Sequence, residues 1–228
     1  MSAPVALFWD LDGTLLSTAR AGVFAIEAAV REVYGREPDI TELRTAGLTD
    51  ASIAALLIEQ LGEPVSDETV SAFLRAYERD LPRCLPMREG YVMPNVEAIL
   101  DDLAGRDDVL NLLLTGNTRA GAHAKLTHYG LIDRLDEGAF CVGPGERAEI
   151  ARAAVELAAG LLGPGAELRP FVIGDTAHDV ACGKAVGAQT IAVATGPIPL
   201  EELALSEPWA LLEELPPPEQ FRALVGLD

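Results

Sequence analysis

Three times along this chain a short, almost wholly apolar run stops at a cluster of polar residues. Val5-Ala6-Leu7-Phe8-Trp9 runs into Asp10-Leu11-Asp12-Gly13, and Val109-Leu110-Asn111-Leu112-Leu113-Leu114 into Thr115-Gly116-Asn117-Thr118. Pro170-Phe171-Val172-Ile173 runs into Gly174-Asp175-Thr176-Ala177-His178-Asp179. Runs of this length without polar alternation suit strands of a parallel sheet covered on both faces. Open α/β sheets bind ligands at the carboxyl edge of their strands, so polar clusters at these strand ends point to one shared site.

Asp10 and Asp12 stand one residue apart, which sends both side chains to the same side, while Gly13 lets the chain leave the strand. Two adjacent anions repel, and a hard divalent cation with oxygen ligands relieves them; Mg2+ suits a site with few carboxylates and several waters. A plain Asp-Gly turn is the alternative. In the second cluster a hydroxyl and main-chain amides open a helical pattern through Ala120, Ala124 and Leu126, a good setting for an anion, although Thr115 or Asn117 also suits a simple helix cap. In the third, Asp175 and Asp179 lie four apart and share a helix side, one close to a cation and one a turn away. Capping by Asp175 or Thr176 is the alternative there, and Asp179 reads as a supporting or capping residue.

Taken in order, FWDLDGTLL, LLLTGNT, VIGDTAHDV and GAQTIAVATG resemble the haloacid dehalogenase-like hydrolase superfamily, over a span from Val5 to about Gly196, with the first and last stretches nearest its phosphoglycolate-phosphatase-like branch. The resemblance implies an Mg2+-dependent phosphatase in which Asp10 attacks phosphorus, Asp12 shuttles a proton, Thr115 binds the transferring phosphoryl group with Gly116 and Asn117 beside it, and Asp175 helps Asp10 and the Asp12 carbonyl to hold the metal. An aspartate carboxylate is chemically able to carry a phosphoryl group, which splits hydrolysis into transfer and attack by water. Protonated, Asp12 donates to the leaving oxygen; ionised, it accepts a proton from water.

The family normally places a lysine at the start of the helix before the last motif strand, and none stands there in this chain. In the segment Cys141 to Ile150, Arg147 is the cation near that helix start, and it is the expected replacement in catalysis and phosphate binding. Its planar fork keeps the charge but not the point contact of an ammonium. Lys125, inside the helix after Thr115, is the other candidate for that role, although its place within the helix reads as a surface one. His123 and His128 read as surface or interface residues, whereas His178 sits inside a motif and faces either the substrate mouth or solvent.

Between the first motif and Pro86 the chain changes character, with helical periodicity in Ala21 to Tyr34, Asp50 to Leu61 and Asp67 to Leu81. The expected fold is therefore α/β, a Rossmann-like parallel-sheet core (residues 1–16 and 86–228) with an inserted α-helical cap domain (residues 17–85) that opens and closes over the site. The cap turn Thr45 to Asp50, preceded by Arg44, resembles a substrate-facing loop; Arg44 and Arg20 are either substrate contacts or solvated helix faces. The tail through Leu215-Pro216-Pro217-Pro218 reads as surface packing and a stiff turn.

With 228 residues, 49% of them hydrophobic, the chain can bury one sizeable core and an accessory unit. A net charge of -19 excludes nucleic acid and anionic membranes as partners and leaves a small phosphorylated metabolite, bound by local positive charge. No stretch approaches the ~20 apolar residues of a membrane span, no basic leader is apparent, and the expected location is the cytoplasm. Cys84, Cys141 and Cys182 lack metal-ligand spacing and read as reduced thiols. The pattern assigns no oligomeric state. Three other readings remain at this level: a phosphomutase, which keeps every motif; a dehalogenase, which Asp12 argues against; and a non-catalytic phosphate- or partner-binding homologue.

Overall fold

The computed structural model describes residues 3–40, 45–143, 147–163 and 167–227. Strand β1 (Val5–Trp9) is followed by a two-residue strand β2 (Leu16–Ser17), then by helices α1 (Gly22–Tyr34), α2 (Asp50–Gln60) and α3 (Asp67–Cys84), and by β3 (Tyr91–Val92). The chain continues through α4 (Val96–Leu103), β4 (Val109–Thr118), α5 (Arg119–His128), β5 (Gly138–Cys141), α6 (Arg147–Leu162) and β6 (Arg169–Gly174). It ends with α7 (Ala177–Ala185), β7 (Gln189–Val193), α8 (Leu200–Ala204), β8 (Ala210–Leu212) and α9 (Pro218–Val225).

Six strands form one parallel sheet in the order β5-β4-β1-β6-β7-β8. The unbroken apolarity of β1 has a direct cause. Ala6 and Phe8 face one cluster, with the insertion helices and α6, while Val5, Leu7 and Trp9 face the other, with α4, α5 and α9. Both sides of the strand are thus covered, and all five residues are buried. Trp9 stacks on Phe221 of α9 with ring centroids 5.5 Å apart. Phe221 is fully buried, so the tail does more than the surface packing expected of it: α9 closes one face of the sheet.

The chain leaves β1, adds β4 and β5 on one side, and returns to add β6, β7 and β8 on the other. The order reverses at β1, which opens a crevice above its carboxyl end. Helices α1, α2 and α3 lie between β2 and β3, which pair antiparallel as Leu16 with Val92 and Ser17 with Tyr91, so the two chain crossings run side by side. Thr49 caps α2 by accepting from Ser52 N, and Ser66 caps α3 by accepting from Thr69 N. Helix α3 runs past the expected end at Leu81 and includes Pro82, because Leu81, Cys84 and Leu85 are all buried and packing carries the last turn. The three cysteines are buried and unpaired. No helix among the described residues is long and apolar enough to cross a membrane.

Candidate active site

The turn after β1 is held at several points. Asp10 N donates to Ile173 O of β6, Leu15 N and Leu16 N both donate to Leu11 O, and Thr195 Oγ1 donates to Gly13 O at 2.6 Å. Gly13 takes φ +83°, and a Cβ there would come 2.4 Å from Asp175 Oδ2, so glycine is required both by the turn and by the carboxylate beside it. This packing brings the end of β6 against the end of β1.

Asp10, Asp175 and Asp179 are all buried, and each offers an oxygen within 4.8 Å of the others. Their surroundings differ. Asp179 Oδ2 accepts from Thr176 N at 3.0 Å and from Thr176 Oγ1 at 2.6 Å, and its Oδ1 accepts from Arg147 Nη2. Asp179 thus performs the capping at the start of α7 and its charge is matched. Asp175 Oδ1 is buried with no hydrogen-bond partner. Burial, with the Asp179 charge adding and the Arg147 charge opposing, pushes the Asp10 carboxyl up to about 8. Burial and the Asp10 charge push Asp175 to about 9. An orphaned buried carboxylate oxygen beside a second buried carboxyl suits a hard cation with oxygen ligands, and the donor set fits Mg2+.

The carboxylate of Asp12 turns elsewhere. Its Oδ2 accepts from Lys125 Nζ at 2.5 Å and from Asn117 Nδ2 at 2.9 Å, and Lys125 Nζ also donates to Asn117 Oδ1 at 2.6 Å. The surface position expected for Lys125 is therefore wrong: its side chain is only 7% exposed and belongs to the site. The helix wheel explains it. Gly121, Ala122, Lys125 and Leu126 form the buried face of α5, so Lys125 points inward, with the small residues Gly121 and Ala122 one turn before it. Burial opposes its charge, but Asp12 and Asp50 more than offset this and hold the ammonium above the ordinary lysine value.

Strand β4 continues through the second polar cluster with a shift of register between Leu114 and Thr118, and Thr118 caps α5 by accepting from Gly121 N. Neither Thr115 nor Asn117 is spent on capping. Thr115 has no accessible surface; its hydroxyl accepts from Asn117 N and, at 3.0 Å, from Asn117 Nδ2, which places it beneath Asn117. Gly116 and Asn117 line the cavity. A Cβ on Gly116 would stand 2.9 Å from both Arg147 Nη1 and Leu48 O, so this glycine allows the cap turn to approach the core.

Arg147, the first residue of α6, has a side chain 11% exposed. It pairs with Asp179, stands 3.7 Å from Asp10 Oδ1, and donates to Gly47 O of the cap turn at 3.2 Å. His178 is exposed, with its ring against Gly47. Arg20 is exposed at the cavity rim, and Arg44 lies outside the described residues, as do Pro144, Gly145 and Glu146 before α6. Asp50, the last residue of the cap turn expected to face substrate, and Tyr77, which no motif marked, also line the cavity. The sequence signal for Asp50 was its place at the start of α2 directly after the cap Thr49.

The model of the haloacid dehalogenase-like hydrolase family matches residues 7–184. The chain is 32% identical over 218 residues to "Probable phosphatase IndB" of Dickeya dadantii (strain 3937), a match that covers 92% of this chain and 89% of that protein. A solved structure described as "a predicted phosphatase from Clostridium acetobutylicum" superposes with a TM-score of 0.71 at 20% identity, covering 99% of this chain and 100% of that one. Another, "a predicted phosphoglycolate phosphatase" from Haemophilus somnus 129PT, gives 0.66 at 16% identity with 98% of each chain covered. At such identities these two structures speak for the fold; the family match and the closer sequence speak for descent. Sheet order, inserted helices and polar strand ends agree with both, and the chain belongs to the haloacid dehalogenase-like hydrolase family.

Proposed function

We propose that this protein is a phosphatase that hydrolyses a phosphate monoester by way of a phosphoryl group carried on Asp10. The observation that carries the reading is the separation of the two first-motif carboxylates. Asp10 is buried beside Arg147 and Asp175, whereas Asp12 is turned to Lys125 and Asn117 across the same cavity floor. This separation supports a reading in which one acid attacks and the other handles protons. The 32% identical relative that bears the name of a phosphatase supports the same chemistry.

In the first step an Asp10 oxygen forms a bond to phosphorus, the bond from phosphorus to the leaving oxygen breaks, and the Asp12 proton passes to that oxygen. In the second, a water oxygen bonds to phosphorus, Asp12 takes the water proton, and the bond between Asp10 and phosphorus breaks to release inorganic phosphate. Arg147 supplies positive charge beside Asp10 and the phosphoryl oxygens, and its contact with Gly47 O ties that charge to the cap turn. Gly116 and Asn117 face the anion, and Thr115 acts through Asn117, whose amide it orients. Lys125 and Asn117 aim Asp12. The carboxylates of Asp10 and Asp175 with the carbonyl of Asp12 would hold Mg2+, which when bound neutralises the nucleophile and the phosphoryl oxygens it approaches. Closure of the insertion over this floor excludes bulk water.

Release of inorganic phosphate from a panel of monoesters, with and without Mg2+, tests the proposal when wild type and Asp10→Asn are assayed together. Metal-dependent release that disappears in the variant is expected, since an amide keeps the shape but does not attack phosphorus. Full activity in Asp10→Asn would remove the nucleophile.

A further inference from the structure

The cavity above Asp10 measures about 690 Å³. That lies within the roughly 300–1,000 Å³ of sites that enclose drug-sized ligands, and a phosphoryl group on a two-carbon alcohol leaves most of it unfilled. The floor is the polar cluster described above. The roof comes from the inserted helices: Val23 and Ile26 of α1, Ile53 of α2, and Phe73 and Leu74 of α3.

Two polar side chains interrupt this apolar roof, Asp50 at the start of α2 and Tyr77 of α3. Asp50 Oδ2 accepts from Thr118 N at 2.8 Å, which fixes the carboxylate at the joint between roof and floor. Burial first, and then the Asp50 charge, hold the Tyr77 phenol well above its ordinary pKa, so it stays a neutral donor. The cations that border the cavity are Lys125, whose ammonium donates to Asp12 and is also held charged by Asp50, Arg147, which pairs with Asp179, and Arg20 on the exposed rim. Among the described residues, the buried part of the roof therefore brings an anion and a phenol to the leaving group, and no cation.

We infer that the leaving group accepted here is a neutral, ring-sized alcohol, seated against the apolar roof and offering a hydrogen-bond donor to Asp50. The inference rests on the phosphatase reading and narrows it. A carboxylate or second phosphate on the leaving group would be driven towards Asp50 with no roof cation to meet it, and a low-dielectric pocket penalises such a contact. Two-carbon acids of the phosphoglycolate type and sugar bisphosphates are thus disfavoured, on charge and, for the former, on size.

The test is kcat/KM on phosphate esters of primary alcohols of similar basicity: ethyl, 2-phenylethyl, 2-(4-hydroxyphenyl)ethyl and 2-(4-carboxyphenyl)ethyl phosphate, with phosphoglycolate beside them. The phenyl and hydroxyphenyl esters are expected to exceed ethyl phosphate on the order of 10- to 100-fold, the range by which apolar pocket contacts discriminate. The carboxyphenyl ester should lose that gain, and Asp50→Asn should restore part of it. Should Asp50→Asn fail to fold, Ile53→Lys, which puts a cation into the roof, should raise the carboxyphenyl ester relative to the phenyl one. Phosphoglycolate or the carboxyphenyl ester as the best substrate, or no discrimination among the esters hydrolysed, would overturn the inference. Hydrolysis of none overturns the phosphatase reading instead. In that case the dissociation constants of the matching phosphonates, measured by calorimetry, carry the same ranking, and a flat or reversed order overturns the pocket assignment on its own.

Discussion

Replacing Lys125 by methionine keeps most of the buried aliphatic stem and removes the ammonium that donates to Asp12 at 2.5 Å and to Asn117 at 2.6 Å. Asn117 is 6% exposed, so its Oδ1 is left unpaired in the interior, at a cost of about 1–3 kcal/mol. The Asp12 side chain is 43% exposed, and water takes over there, so that pair adds only about 0–1 kcal/mol. Relief of the buried ammonium offsets part of the loss. A net destabilisation of about 1–3 kcal/mol corresponds to a fall in Tm of roughly 2–12 °C for a chain of this size. A surface lysine would shift stability by no more than about 0.5 kcal/mol. The catalytic effect separates aim from mere stability. General acid assistance is worth about 10²–10⁴-fold, and an Asp12 that is present but no longer aimed should lose on the order of 10²-fold in kcat/KM on an alkyl phosphate, or about 2.7 kcal/mol. A 4-nitrophenyl ester leaves with little need of a proton, and its kcat/KM should fall less than about 10-fold. Equal losses on both esters would refute the role of Lys125 through Asp12, and unchanged kinetics with unchanged Tm would refute its burial as well.

Two further outcomes follow from the charges at the site. Arg147→Ala removes the counter-charge of Asp179 and the guanidinium 3.7 Å from Asp10, and should lower kcat/KM by about 10²–10³-fold, with Arg147→Lys recovering part of it; steady-state kinetics on one ester decide. In metal-free protein, burial and neighbouring carboxylates hold Asp10 at about 8 and Asp175 at about 9, both above the unfolded value of 3.8. The folded state therefore binds the extra protons, so the stability linked to these groups is full below about pH 4 and is lost as pH rises through about 8 to 9. Calorimetric Tm values in chelator should fall between about pH 5 and 9. Mg2+, which must displace those protons, should bind more tightly as pH rises and flatten the fall. A flat profile in chelator would show that the carboxyls are already ionised without a cation.

The sheet was legible because its signal is local. Each apolar run had to be covered on both faces, and β1 is. The helical insertion was legible for the same reason, since α1, α2 and α3 each show one apolar face with a nearby cap or glycine; only the last turn of α3, carried by burial of Leu81 and Cys84, exceeded its expected end at a proline. The surface place expected of Lys125 fails because a position within a helix does not say which face the side chain takes. The pattern Gly121, Ala122, Lys125, Leu126 was visible, but whether such a face meets solvent or a carboxylate depends on what lies opposite. Asp50 carried still less local signal. Its place at the end of the cap turn pointed towards the substrate side, but as the first residue of a helix it looks like any capping-region acid, and its contact with Thr118 N follows only from the packing of α2 on β4.

What the sequence by itself determined is that Asp10, Asp12, Thr115, Asn117 and Asp175 follow apolar strand runs and share one edge, since hydrophobic period and turn chemistry act over a few neighbours; that β4 runs on through Thr118, with Thr115 and Asn117 inside it, was not in that pattern. What only the tertiary structure decided is how they divide. Because β1 is hydrogen-bonded to β4 on one side and β6 on the other, Asp10 meets Asp175, Asp179 and Arg147, while Asp12 meets Asn117 and Lys125. That partition depends on the order of strands far apart in the chain and on helices packed over them, which no short window of sequence encodes.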